Sequence, residues 1–464
     1  MNEYNFPQNF LSKLAGSPGF EAENFLKAHQ NSDSPTSIRL NPFKISAIKG
    51  DKQVPWCSEG YYLGSRPSFT FDPLFHAGCY YVQEASSMFI DHILHYINKD
   101  SDGIRVLDLC AAPGGKSTLI SSTLKSDDLL VANEIIKTRV PVLTDNLTRW
   151  GTSNTIVTNN DPKDFGRLKG FFDMILVDAP CSGSGMFRKD PAAMDEWSEA
   201  NVNLCHQRQE RILADVYPAL KEDGYLIYST CSYSVEENED ILDWLCTEFE
   251  LESIRIPIEA DWGIVESQSA QKQAWGYRFY PDKVKGEGLF AACLQKKETS
   301  GDVSNTKYKD HQKANFKEID LAKPYIKEPD NYYYFKVNDD WLAIDREHRH
   351  SLGILQQYFY IKKSGVRIGK LAGKDMIPDH ELALSLAINK DRFLETELNK
   401  QQAIQYLQRE NIIDLNTPDK GWSLMTFEGQ ALGWAKLLPN RINNYYPKEI
   451  RILAPHPPKG GVFD

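Results

Sequence analysis

No stretch of this 464-residue chain approaches the ~20 consecutive apolar residues that a bilayer-spanning helix requires. The opening, Met1 to Pro7, has neither the basic n-region nor the apolar h-region of a secretory signal, so none is expected. Cysteines are sparse and scattered, at 57, 79, 110, 181, 205, 231, 246 and 293, and no two form a C-x-x-C pair. That excludes the usual zinc and disulfide-framework signatures; free thiols, no metal and a cytoplasmic location are expected. Positive charge is in deficit, with 53 lysines and arginines against 64 acids, a net charge of −11 and a pI near 5.5. This argues against indiscriminate nucleic-acid binding, while leaving room for a local basic patch on an acidic body. Internal repeats are absent. What is present is an ordinary balance, 41% hydrophobic and 25% charged, which excludes a wholly disordered, collagen-like or coiled-coil chain. At roughly 150 residues per domain the length suggests about three domains.

Residues up to about 75 are mixed, with short helical pieces from Phe6 to Leu26 and a strand beginning at Ser37. A Gly/Ser/Pro-rich stretch, Gly64 to Pro73, precedes a helix pattern from about Glu84 to Ile97. From Gly103 short apolar runs alternate with helical stretches. The runs are 104–109, 129–132, 155–158, 173–177 and 224–228; the helices are 116–124, 137–150 and 199–220. That alternation predicts βαβ units and a parallel sheet. A further strand at 288–294 is expected as an antiparallel partner near the sheet edge. Lys296 to Lys323, polar and lysine-rich, reads as a linker. Beyond it lies a smaller α+β block with a strand pair around Asn338-Asp339-Asp340. An acid-free segment follows, carrying Lys362, Lys363, Arg367, Lys370 and Lys374, then helices near 380–388 and 400–409 and a β-rich end from Gly421 to Leu453.

The chemistry concentrates where the predicted strands end. DLCAAPGGKS (108–117) carries a buried-type strand into a Gly-Gly turn and a helix, a geometry that lets backbone amides approach a ligand. A Walker phosphate loop would need glycine at position 110, where this chain has Cys110, and Pro113 removes an amide donor. Glu134 ends the second strand, 19 residues after Gly115, where an acid commonly takes the hydroxyls of an adenosine ribose. Asp161 follows the third strand, Asp178 the fourth in DAPCSGSG (178–185), and Cys231 the fifth in YSTCSY (228–233). An acid at a strand end is usually only a helix cap or turn former. Several ligand-type groups on one carboxyl edge, however, match the place where open α/β sheets bind ligands. Free cysteine is ordinarily a small buried hydrophobe. Cys181 and Cys231 differ, each lying in a Ser/Gly/Thr-containing loop at that edge, where a thiolate can serve as a nucleophile. A Cys-His pair finds no support, the nearest downstream histidine being His206 on a predicted helix.

A thiol, a carboxyl group and an adenosine-type cofactor together suit methylation at carbon 5 of cytosine, which becomes nucleophilic only after a thiolate adds to carbon 6. At this point the motifs DLCAAPGGKS, NEI (133–135), DAPCSGSG, YSTCSYSVEENE (228–239) and RFYPDKVKGEG (278–288) resemble those of the Sun-family RNA cytosine-5 methyltransferases, most nearly their bacterial RsmF type. SIRLNP (37–42) and AGCYYVQEASSM (77–88) are similar to the family's N-terminal segment, and LGWAKLLPNRINNYYPKEIRI (432–452) to its PUA-like RNA-binding domain. The resemblance implies an α/β, Rossmann-like S-adenosylmethionine-dependent methyltransferase fold. It implies an N-terminal α+β domain (1–80), a catalytic domain (81–297), a linker (298–323), an intermediate α+β domain (324–410) and a PUA-like domain (411–464). It further implies that Cys110, Ala111, Ala112, Pro113, Gly114, Gly115 and Lys116 contact S-adenosylmethionine, with Glu134 on the ribose, Asp161 on the adenine side and Asp178 between cofactor and cytosine. Cys231 would be the nucleophile and Cys181 would assist product release. DNA enzymes carry the nucleophile on the Pro-Cys motif together with a Glu-Asn-Val motif. This chain has Val235-Glu236-Glu237-Asn238, which favours RNA. Small-subunit ribosomal RNA is the implied substrate, transfer RNA or a non-catalytic RNA-binding scaffold the alternatives, and a monomer without membrane contact the expected state. An amino-methylating loop would need a second proline and an aromatic after Asp178, and has neither. Arg188, Lys189 and the 362–374 run are candidates for backbone phosphates.

Overall fold

The computed structural model describes residues 6–30, 34–44, 48, 50–97, 103–297, 316–373, 375–412, 419–439 and 441–454. Five apolar runs form the parallel strands β1 (Arg105–Asp108), β2 (Leu129–Asn133), β3 (Thr155–Thr158), β4 (Phe172–Asp178) and β5 (Leu220–Thr230). Val106, Leu107, Val131, Ile175, Leu176 and Ile227 are each 0% exposed. Strands covered on both faces read as continuous apolar runs rather than alternating ones. Each such side chain contributes roughly 1.5–3 kcal/mol over an exposed position. The helices Gly115–Thr123, Val140–Trp150 and Glu199–Val216 close the crossovers. Gly151 ends the second of these at φ +95°; a Cβ there would lie 2.6 Å from Leu384 O, so the position suits glycine for both cap and packing.

Beyond β5 the sheet turns antiparallel through β6 (Val265–Gln268), β7 (Trp275–Phe279) and β8 (Leu289–Lys296). At the other end β9 (Ile361–Ser364) pairs antiparallel with β3. The order is β6-β7-β8-β5-β4-β1-β2-β3-β9, with Leu251–Ser253 also bonded to β8. The strand expected at 288–294 is antiparallel as read, but two more strands beyond it make it interior.

Three four-stranded sheets surround this one. The N-terminal sheet runs from Thr36 to Val82. The next joins Tyr332–Val337, Asp340–Asp345, Val366–Ala372 and Asp375–Pro378. The last sets Leu394–Glu397 parallel to Gly421–Phe427, followed by Gln430–Leu438 and Arg441–Asn444, so it begins upstream of residue 411. A helix, Phe316–Ala322, lies in the expected linker, whose residues 298–315 fall outside the described residues. Lys44 ties the units together, donating to Ala77 O (2.7 Å), Arg149 O (2.6 Å) and Leu384 O (3.0 Å).

The acid-free run at 362–374 is not a loop laid open to phosphates. It forms β9 and Val366–Ala372. Lys363 is buried and pairs with Glu381 at 2.7 Å, while Arg367 meets Asp340 at 3.1 Å and Lys370 the same carboxylate at 3.9 Å. Folding supplies the acids that the local sequence lacks. Lys374 lies outside the described residues. Among the described residues no helix is long and apolar enough to cross a membrane.

Candidate active site

The carboxyl ends of β1, β2, β4 and β5 bring four motif segments to one edge. After β1 the chain passes through Cys110 to Gly114, at φ +112°, and enters the helix at Gly115. A Cβ on Gly114 would come within 3.3 Å of Leu143 and Asn146, so the loop lies tight on the next helix. Two of its carbonyls are already bound: Asn146 Nδ2 donates to Pro113 O at 2.7 Å, and Arg139 to Ala112 O. The Ala111 N–H donates to Asn133 O at 2.8 Å. The first-turn amides of the helix after Gly114 have no intrahelical acceptor, which leaves that helix end able to face a ligand. Cys110 is half-buried, and burial pushes its thiol above the usual range, which suits packing rather than reactivity.

Asp108 ends β1 fully buried. Its Oδ2 accepts from Ser117 Oγ at 2.6 Å, while Oδ1 is a buried acceptor with no hydrogen-bond partner. Burial raises its pKa to about 7 against the Ser117 bond, with Asp178 pushing the same way. An acceptor short of a donor beside a helix N-terminus fits the ammonium-bearing end of an amino-acid-type cofactor.

Glu134 is only 2% exposed. Its Oε1 accepts from Ile136 N at 2.8 Å, and Oε2 lies 3.4 Å from Arg139. Asp161 caps the short helix Pro162–Phe165, its Oδ1 accepting from Lys163 N at 3.1 Å. It therefore fills the structural role common for such an acid, and stands at the same edge as Glu134.

Asp178, Cys181 and Cys231 converge. Asp178 Oδ2 pairs with Lys116 Nζ at 2.8 Å and Oδ1 accepts from Ser229 Oγ at 2.7 Å. Lys116 therefore reaches across from the first loop to Asp178; although burial opposes its charge, Asp178 raises its pKa. The Cys181 and Cys231 Sγ atoms are 3.1 Å apart, and both residues are half-buried. In this pair the hydrogen bond from Cys181 holds Cys231 below the usual thiol range, helped by Lys116, while the same bond and burial push Cys181 well up. Of the two, Cys231 is the thiol that the pair favours in the ionised form. His206 is engaged elsewhere, donating from Nδ1 to Glu236 O at 2.6 Å with Nε2 3.3 Å from Glu210.

The supports of this pair were only partly legible in sequence. Glu237, fully buried, accepts from Ser182 N at 2.7 Å, Ser182 Oγ at 2.6 Å and Ser232 Oγ, so one carboxylate ties both cysteine loops. Asn238 accepts from Thr230 Oγ1 at 2.6 Å and donates to Ser232 O at 2.8 Å. These are the last two residues of the Val235–Asn238 stretch, whose order the sequence shows and whose role it does not. Gly185 N donates to Cys231 O at 2.8 Å; a Cβ there would stand 2.8 Å from that oxygen and 2.6 Å from Gly288 O, which only glycine tolerates. Arg188 is turned inward onto an acid, although it also contributes to the wall of the neighbouring cleft. It is 8% exposed and bidentate on Glu287, at 3.0 Å and 3.1 Å, because the loop after Asp178 folds beneath the 286–288 turn. Lys189 is exposed and lines a cleft of about 1110 Å³ between the N-terminal and catalytic units, together with Lys27, Arg66 and Lys285.

Three family models match in succession: the N-terminal domain of 16S rRNA methyltransferase RsmF over residues 6–85, 16S rRNA methyltransferase RsmB/F over 94–295, and the methyltransferase RsmF PUA domain over 393–452. The ribosomal RNA small subunit methyltransferase F of Psychromonas ingrahamii is 30% identical, covering 96% of this chain and 97% of its own. That of Shewanella sediminis is 32% identical over 89% of this chain and 90% of its own. Among solved structures, a methyltransferase homolog from Pyrococcus horikoshii is 29% identical with a TM-score of 0.54, over 63% of this chain and 96% of its own. NSun6 from the same organism, solved with SFG, has the same TM-score at 20% identity over 63% of this chain and 99% of its own, a likeness of fold.

Proposed function

Since the chain belongs to the 16S rRNA methyltransferase RsmB/F family, we propose that it methylates carbon 5 of a cytosine in small-subunit ribosomal RNA through a covalent bond to Cys231. The observation that carries this reading is the thiol pair, 3.1 Å apart, beside an Asp178 held by Lys116 and Ser229. S-adenosylmethionine, the family's methyl donor, supplies an electrophilic methyl group, and the loop from Cys110 to Lys116 with Glu134 and Asp161 would hold it. The unpartnered Asp108 Oδ1 supports that fit.

Cys231, whose thiolate form is favoured by the bond from Cys181, adds to carbon 6 of the cytosine, and carbon 5 becomes the nucleophile. Asp178, oriented by Lys116 and Ser229, places its carboxyl at ring nitrogen 3 and holds a proton there as the adduct forms. Once carbon 5 carries the methyl group that S-adenosylmethionine would supply, loss of the carbon-5 proton to a base restores the ring double bond and expels the Cys231 sulfur as thiolate. Cys181 hydrogen-bonds that leaving thiolate, re-forming the pair seen in the free protein. The target base must leave its stack, because a thiol in a loop cannot reach into a duplex. The cleft lined by Lys27, Arg66, Lys189 and Lys285 suits the approaching backbone. In the last sheet, Lys436 lies 5.5 Å from the Trp422 ring, itself 4.5 Å from Tyr445, a basic aromatic face suited to unpaired bases.

The test separates the thiols. With S-adenosylmethionine and ribosomal RNA, Cys231→Ala should give no conjugate on a denaturing gel and Cys181→Ala a persistent one. The reverse pattern would move the nucleophile to Cys181. Bisulfite sequencing of RNA from cells with and without the gene names the cytosine; loss of the mark from transfer RNA alone would overturn the ribosomal assignment.

A further inference from the structure

Tyr360 is 72% exposed, the highest value among the open aromatic side chains of the described residues. It belongs to the C-terminal half of the chain, yet β9, which it precedes, is bonded to β3 of the catalytic sheet. Because β9 runs antiparallel to β3, residue 360 comes to the carboxyl end of β3, at the edge that carries Asp161. The placement is fixed by two bonds: Asn159 N donates to Tyr360 O at 3.0 Å and Tyr360 N to Asn160 Oδ1 at 2.9 Å. The neighbouring Phe359 packs at 4.6 Å on Phe165, in the short helix that Asp161 caps. Asn159 also reaches the other way, its Nδ2 donating to Glu134 O at 2.6 Å and Ile135 O at 3.0 Å. Ile135 and Ile136 are 48% and 49% exposed.

Asn159 therefore ties the backbones of Glu134 and the open Ile135, which Ile136 follows, to that of the open Tyr360, and none of these residues is used by the cysteine chemistry. Open apolar side chains and an open aromatic ring brought to one sheet edge beside an acid are the composition that holds a flat heteroaromatic base. We propose that Tyr360 is a positioning residue for the cofactor, supplied by the C-terminal half to wall the adenine of S-adenosylmethionine beside Asp161. The inference rests on the reading of Glu134 and Asp161 as the adenosine edge. It makes the appended half part of the cofactor site, so that the half carrying the PUA-type domain is wired to methyl-donor binding through β9.

Calorimetry with S-adenosylhomocysteine tests this on the full chain, with Tyr360→Ala, Tyr360→Phe and Glu134→Ala compared. Loss of one aromatic wall should weaken binding about tenfold, with Phe restoring it. The exposed position should leave the melting temperature unchanged. Binding of a small-subunit ribosomal RNA transcript without cofactor should be the same for Tyr360→Ala and the unaltered chain. Unchanged S-adenosylhomocysteine affinity in Tyr360→Ala, with a loss in Glu134→Ala, overturns the inference alone. Unchanged affinity in both overturns the adenosine edge and the inference with it. Retained cofactor affinity with weakened RNA binding makes Tyr360 an RNA-stacking residue and also overturns it.

Discussion

The loops after β4 and β5 and the segment 362–374 both stand out in sequence by their side chains, and folding treats them differently. In the first, Asp178, Cys181 and Cys231 remain together at an edge open to ligand, and the partners they gain, Lys116, Ser229 and Glu237, orient them. In the second, Lys363 and Arg367 are drawn onto Glu381 and Asp340 and their charge is spent within the protein. A catalytic motif is defined by residues at strand ends, whose position the sheet itself fixes. A charge run is defined only by what it lacks nearby, and a chain folded over it can supply the missing sign from any distance.

That contrast can be broken most sharply at Glu237. Glu237→Ala leaves the Ser182 amide and hydroxyl and the Ser232 hydroxyl without their acceptor in a buried site. It should cost about 4 kcal/mol in denaturant unfolding and slow methyl transfer more than the lost stability explains. Unimpaired turnover of the folded variant would show that the cysteine loops hold themselves. Next is Lys363→Ala, which strips the part-buried Glu381 of its buried cation and should cost about 3 kcal/mol while leaving RNA affinity unchanged. A fall in RNA affinity at constant stability would restore the segment as a phosphate contact.

A pH-dependent effect is expected at the joint between the N-terminal and last units. His76 Nε2 donates to Thr70 O at 2.8 Å, so its Nδ1 accepts from the Tyr446 hydroxyl, 3.3 Å away; His380 stacks edge-on to the same ring at 5.3 Å. Burial lowers both imidazole pKa values from 6.5 to about 4. Between pH 4 and 6.5 the unfolded chain therefore binds protons that the folded one refuses. The stability that these groups allow is present above pH 6.5 and lost as pH falls toward 4, about 3 kcal/mol for each imidazole. A double substitution, His76→Gln with His380→Gln, should flatten the dependence of unfolding free energy on pH in that window. An unchanged slope would place the acid sensitivity elsewhere. The least effect belongs to Lys370→Ala, more than half exposed and 3.9 Å from its carboxylate, which should change stability by under about 0.5 kcal/mol.

The sequence by itself determined the parallel sheet and the edge at which the candidate site residues gather. The apolar runs at 104–109, 129–132, 155–158, 173–177 and 224–228 are strands because doubly covered strands are continuous in hydrophobicity, and residues just past their ends share one edge because parallel strands point one way. Only the tertiary structure decided what has no local signal. The partner of Lys363 is a glutamate 18 positions on, that of Arg188 a glutamate 99 positions on, and the ninth strand of the catalytic sheet is contributed from beyond the linker by a segment whose own pattern is merely basic. Backbone pairing and buried ion pairs select on geometry across the whole chain, and a single sequence records the members of such pairs without recording which belongs to which.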